Sequence, residues 1–317
     1  MEGESDYALP MERRKFLQSI LAGTGLIALR PRSLFASEAY QNLITRLIPS
    51  SGGKLPVIGM GTWITFNVGP IPSLIQTRIE ILKEFFAHGG AMIDSSPMYG
   101  SAEKVVGQCL ENLGTPKNLF SATKVWTSST DDGLKQVRDS MRLWGEPRLD
   151  LEQVHNLVNW QGHLKTLRRL KDEGTIRYVG ITTSHGRRHN EIETIMKNEP
   201  LDFIQLTYNI QRREAEERLL PLAQERGIAV IANRPFGGGA LINQVQRQGN
   251  LPPWAKEVGV RNWAEFLLKF IVSHPAITCA IPATSKVSHM RENMGACYGP
   301  LPDPSQRERM ARYVADL

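Results

Sequence analysis

From Leu55 onward one unit recurs eight times: a short apolar run ending in polar or small residues, then an amphipathic stretch. The runs span residues 57–61, 91–95, 119–125, 149–155, 176–182, 203–208, 228–233 and 278–281. Each has strand length, and most are rich in Val, Ile, Phe or Tyr. Between them lie helical patterns over 75–88, 102–113, 131–144, 163–173, 189–197, 213–226, 262–273 and 287–296. Several stop at a glycine, as at Gly114, Gly145, Gly174 and Gly227, and 131–144 starts beside the capping-type residues Thr130, Asp131 and Asp132. Strand-then-helix units without doubled strands call for a parallel α/β sheet. Eight of them favour closure into a (β/α)8 TIM barrel, with an open doubly wound sheet as the alternative. Such a sheet would normally carry a Gly-x-Gly-x-x-Gly turn after its first strand. Here Gly59 and Gly61 lead to Thr62 and Trp63, with no third glycine and no helix directly after.

Ahead of the repeats stands a different kind of segment. Arg13 and Arg14, followed by Phe16 and Leu17, precede an apolar run over 19–29, then Arg30, Pro31, Arg32 and a small-residue end. This is the layout of an export signal, and the paired arginines resemble the bacterial twin-arginine type. The apolar run is too short and too rich in small residues for a stable membrane span. We therefore read residues 1–39 as signal peptide and cleavage region, with cleavage after Ala36 or Ala39 and a start at Met1 or Met11. Residues 40–317 are then a single barrel, exported folded by the twin-arginine machinery to the periplasm. Three scattered cysteines, Cys109, Cys279 and Cys297, offer neither a disulfide framework nor a zinc site. A net charge of +6 is spread over 38 basic residues mixed with 32 acidic ones. No basic patch for nucleic acid stands out.

In a barrel, polar residues at the C-terminal strand ends converge on one mouth. The second run ends at Asp94, with Tyr99 five residues later; the third carries Lys124 and the fourth ends in His155. A lysine inside an apolar strand demands a partner, because an unpaired buried ammonium is costly. Among these polar residues, no His/Asp/Glu grouping with metal-ligand spacing supports a metal-dependent hydrolase or isomerase.

With these residues in view, the sequence resembles the aldo-keto reductase family from about Lys54 to Asn293. The stretch from Leu55 to Trp63 is similar to that family's opening strand. Asp94 with Tyr99, Gly100, Glu103 and Gly107 is similar to its second strand and following helix, and Lys124 and His155 supply the other two catalytic positions. The resemblance implies reduction of an aldehyde or ketone by hydride from a nicotinamide cofactor, since no side chain supplies hydride. Tyr99 would donate the proton, Lys124 would lower the tyrosine pKa from about 10, Asp94 would hold Lys124, and His155 would hydrogen-bond the carbonyl oxygen.

The resemblance also implies a cofactor path: Gly61 and Thr62 at the first strand; Thr182, Thr183 and Gln205 at the carboxamide; Arg234, Pro235, Phe236 and Gly237 along the diphosphate; and Thr284, Ser285, Lys286 and Asn293 at the adenosine end. Hydroxyl and cationic groups there, His289 among the candidates, favour NADP(H) over NAD(H). Thr183 and Asn233 depart from the family, which more often has Asn at the first position and commonly an aromatic ring that stacks on nicotinamide at the second. Trp63, Met98, Trp126 and Trp254 would line a pocket for a small-molecule carbonyl substrate. The insertion over 237–260 would lie on the same face. The alternative is a non-catalytic cofactor-binding or sensing protein on the same barrel.

Overall fold

The structure, a computed structural model, describes residues 42–317. The expected export signal and cleavage region, residues 1–39, lie outside the described residues. The chain first forms a hairpin of β1 (Thr45–Leu47) and β2 (Lys54–Pro56), paired antiparallel. Eight strands follow in a parallel sheet: β3 (Met60–Gly61), β4 (Met92–Asp94), β5 (Phe120–Val125), β6 (Leu149–His155), β7 (Ile176–Thr182), β8 (Phe203–Thr207), β9 (Ala229–Asn233) and β10 (Ile277–Ala280).

The strands pair in chain order from β3 to β10. The two ends of that order then meet. Ala280 N donates to Val57 O at 2.8 Å, Gly59 N to Ala280 O at 2.9 Å, and Gly61 N to Pro282 O at 3.1 Å. Closure along this seam makes the fold a (β/α)8 barrel and excludes the open sheet. Gly59 permits the approach: a Cβ there would lie 2.9 Å from Met92 O and 3.1 Å from Cys279 Sγ.

The helices α1 (Pro72–Ala87), α2 (Ala102–Leu113), α3 (Thr130–Trp144), α4 (Trp160–Asp172), α5 (His189–Asn198), α6 (Leu219–Arg226), α7 (Ala240–Arg247), α8 (Trp263–Val272), α9 (Val287–Gly295) and α10 (Pro304–Ala315) surround the strands. Their apolar faces and the outward strand residues bury one shared layer, including Leu82, Val106, Leu164, Ile192 and Phe266. Three elements were not expected: the first hairpin, α7 within the 237–260 insertion, and α10. The last starts on a capping box between Asp303 and Gln306, with Pro304 in the first turn. Among the described residues no helix is long and apolar enough to cross a membrane.

The barrel interior is filled separately. Phe120, Tyr178 and Phe203, each at or near the start of its strand, pack with ring centroids 5.4 to 6.0 Å apart. Ile48 and Leu55 of the hairpin join them. The hairpin thus closes the N-terminal end of the barrel and leaves the C-terminal end for chemistry. On the outside, α2 lies directly against α3: a Cβ at Gly107 would stand 1.8 Å from Leu143 O. Gly107→Ala is expected to push the two helices apart and to cost about 1–3 kcal/mol, read as a lower urea midpoint. An unchanged midpoint would contradict the contact.

Candidate active site

The C-terminal strand ends enclose a cleft of about 410 Å³, within the range of small-molecule sites. Asp94 closes β4 and is buried; Lys124, on β5, has no exposed surface. Strand alternation turns Lys124 inward, where its Nζ donates to Asp94 Oδ2 and to Ser95 O, each at 2.6 Å. The other carboxylate oxygen, Asp94 Oδ1, accepts from Gln205 Nε2 at 2.8 Å and Gln153 Nε2 at 3.2 Å. This buried ion pair is therefore embedded in further hydrogen bonds, the condition under which such a pair repays its desolvation.

Tyr99 ends a short 3-10 turn after β4, begun by Ser96, whose hydroxyl accepts from Met98 N. Lys124 Nζ stands 5.3 Å from the Tyr99 ring centroid, and the Tyr99 and His155 rings meet edge-on at 5.8 Å. His155 Nδ1 lies 2.9 Å from Ser96 Oγ. The structure thus brings Asp94, Tyr99, Lys124 and His155 together. Burial, then the charge of Lys124, pushes the His155 imidazole down to about 3, so the ring is neutral across the physiological range.

One expectation is corrected here. Lys124 was expected to pull the Tyr99 phenol below its ordinary value, but the net shift is upward. Burial of the phenol is the largest cause; Lys124 opposes it, and Asp94 offsets part of what Lys124 does. An ammonium already neutralised by a carboxylate at 2.6 Å presents a reduced field to its next neighbour.

Of the expected cofactor residues, Gly61, Thr62, Thr182, Gln205 and Arg234 line the cleft, as do Pro235, Phe236, Thr284 and Asn293. Thr183, Gly237, Ser285 and Lys286 do not; Ser285 and Lys286 stand exposed beside it. The Thr62 hydroxyl is committed to Asp94 O and Ser95 Oγ. Gln205 also receives 3.4 Å contacts at Oε1 from Thr182 Oγ1 and Asn233 Nδ2. Asn233, where the family commonly has a ring, donates to Thr183 O at 2.8 Å and accepts from Thr207 Oγ1 at 2.7 Å. It is a fixed polar member of the wall.

Among the expected pocket residues, Trp63 and Met98 line the cleft. Trp126 borders a separate shallow groove beside Pro97 and Val158. Trp254 is a correction: it packs between Phe266, Tyr313 and the Arg309 guanidinium, on the outer layer. The insertion reaches the mouth instead through Gly238, Gly239, Ile242 and Asn243. Gln153 and Ser96 were missed. Gln153 was within reach, since it lies two residues before His155 and period-two alternation puts both on one face. Ser96 carries no comparable signal.

Two buried polar atoms near opposite ends of the expected cofactor path lack partners: Thr183 Oγ1 and Asn293 Nδ2. Buried polar groups are normally satisfied, so the orphaned Asn293 Nδ2 in the cleft wall fits a polar ligand at that end.

Residues 57–310 match the model of the aldo/keto reductase family. Methylglyoxal reductase YeaE of Escherichia coli (strain K12) is 27% identical over 258 residues, covering 78% of this chain and 88% of that one. An aldo-keto reductase from Klebsiella pneumoniae, solved in complex with NADPH, has 22% identity and a TM-score of 0.72, covering 86% of this chain and 96% of that one. Another from the same organism, in complex with NADP and acetate, has 23% identity and a TM-score of 0.70, covering 83% and 93%.

Proposed function

The chain belongs to the aldo/keto reductase family, and from that premise we propose that it reduces an aldehyde or ketone to an alcohol with NADP(H), favoured over NAD(H), as hydride source. The observation that carries this reading is the buried Lys124–Asp94 pair set under a raised-pKa tyrosine and beside a neutral histidine at the mouth of one cleft. Tyr99 keeps its proton through neutral pH and delivers it to the substrate oxygen. Lys124 stabilises the tyrosinate left behind, and Asp94, with Gln153 and Gln205, fixes Lys124 in place.

The Ser96 hydroxyl, which accepts from Met98 N, has its own proton to give to His155 Nδ1 at 2.9 Å. In the tautomer that receives it, the imidazole proton is on Nε2, where it donates to the carbonyl oxygen and stabilises developing charge. Bound NADPH would supply the hydride. Thr183 and Gln205 would hold its carboxamide end, Arg234 to Gly237 its diphosphate, and Thr284 and Asn293 its adenosine end. The relatives named as NADP or NADPH complexes support the choice of cofactor. The N-terminal signal extends the proposal to location: residues 1–39 would address a barrel already folded in the cytoplasm to the periplasm.

Dissociation constants for NADPH and NADH, measured with turnover on a panel of aldehydes and ketones, test this reading. We expect tighter NADPH binding and NADPH consumption matched by alcohol. NADPH binding without turnover on any carbonyl would favour the sensing alternative.

A further inference from the structure

A second group of charges stands beside the catalytic one. His185 follows β7, Arg212 follows β8 and Arg234 follows β9, with Arg187 two residues beyond His185. His185 and Arg234 line the cleft, and the Arg234 guanidinium lies 5.7 Å from the Trp63 ring centroid across it. Arg212 reaches the His185 turn: its Nη1 is 3.6 Å from where a Cβ on Gly186 would stand. These groups act on one another, since Arg234, Arg187 and Arg212 each add to the downward shift that burial gives His185, and Arg212 does so for Arg234.

Among the described residues no carboxylate pairs with Arg187, Arg212 or Arg234, whereas their neighbours Arg188 and Arg213 are paired with Glu191 and Glu216. Like charges gathered without a counter-ion repel one another, so keeping them together requires a backbone that is held. Here it is held from the end of β8. His185 N donates to Thr207 Oγ1 at 2.9 Å. Asn209 donates from Nδ2 to Arg234 O at 3.0 Å and accepts at Oδ1 from Arg212 N at 3.1 Å. His185 and Arg234 also sit at φ +64° and +50°, left-handed backbone that residues with a Cβ adopt at a cost. The backbone that carries the cationic group is therefore fixed in advance of any ligand.

We propose that His185 and Arg212, with Arg187 at the rim, bind an anionic oxygen group, a carboxylate or phosphate, carried by the carbonyl substrate. The proposal rests on the reductase reading of the same cleft. The other source of such oxygens is the cofactor's diphosphate, and strand order separates the two. Thr284 and Asn293, at the adenosine end, follow β10, and Arg234, at the diphosphate, follows β9, whereas His185 and Arg212 follow β7 and β8, at the carboxamide end where the reacting carbonyl must lie.

The test uses 4-carboxybenzaldehyde and methyl 4-formylbenzoate as a charged and neutral pair, with 4-carboxybenzyl alcohol and 4-methylbenzyl alcohol as calorimetric ligands on NADP+-loaded protein. Wild type is expected to favour the carboxylate in both kcat/KM and Kd. In Arg212→Gln that preference falls roughly tenfold, the loss of one charge-assisted contact. Arg142→Gln, the same change in net charge on the outer face of α3, leaves the preference in place. Equal use of the two aldehydes by wild type, or weaker NADPH binding in Arg212→Gln with the preference unmoved, overturns the proposal. If no carbonyl is turned over but the carboxylate alcohol still binds through Arg212, the reductase reading fails and the anion site stands.

Discussion

Tyr99→Phe is expected to lower kcat for carbonyl reduction by about 10²–10⁴-fold, the usual worth of a positioned general acid, while NADPH affinity stays within about twofold. The ring remains to fill its place against His155, so only the phenolic proton is lost. The upward shift of Tyr99 fixes the sign of the pH dependence. Reduction needs the protonated phenol, which persists through neutrality, and His155, at about 3, stays neutral there. The kcat profile for reduction is therefore flat through the ordinary histidine range. Alcohol oxidation needs tyrosinate as base, so its rate climbs with pH beyond the ordinary tyrosine value of about 10. A reduction profile with an inflection near 6.5 that vanishes in His155→Gln would contradict the neutral-imidazole assignment.

Lys124→Met is the second large expectation. The change removes the cation at 2.6 Å from a buried Asp94 and leaves that carboxylate with amide donors alone. Breaking such a pair costs about 3–5 kcal/mol, seen as a lowered urea midpoint at neutral pH. The second substitution Asp94→Asn removes the stranded charge, so the double variant is more stable than Lys124→Met by itself. Turnover stays low in both, because the tyrosinate left after proton transfer has lost its ammonium. The cycle separates the structural role of the pair from its chemical one. A Lys124→Met protein as stable as wild type, or a double variant less stable than the single, would mean that the pair does not carry the load assigned to it.

Much of the barrel was legible because its strands are buried on both sides and read as continuous apolar runs separated by amphipathic helices. The exceptions have physical causes. The β1–β2 hairpin uses three-residue strands, too short to show a period, and is recognisable only from Ile48 and Leu55 filling the barrel floor. Helix α7 follows three glycines, which read as loop. At the site, residue type and strand position revealed which groups converge, since Lys124 and His155 are unusual in apolar strands. Balance between those groups was not legible. That Asp94 would cancel enough of Lys124 for burial to raise Tyr99 depends on distances no linear pattern contains. Trp254 misled because an aromatic in an insertion near the mouth fits a pocket or an outer helix packing equally well; contact with Phe266 and Tyr313 decides it.

The hydride itself can be followed from cofactor to product. NADPH carrying deuterium at both C4 positions of the nicotinamide is offered with 4-carboxybenzaldehyde, and the product is analysed by mass spectrometry and NMR. One deuterium is expected on the carbinol carbon per NADPH consumed, with that transfer lost in Tyr99→Phe. NADPH consumption without deuterium in the alcohol, or undiminished transfer in Tyr99→Phe, would contradict that expectation.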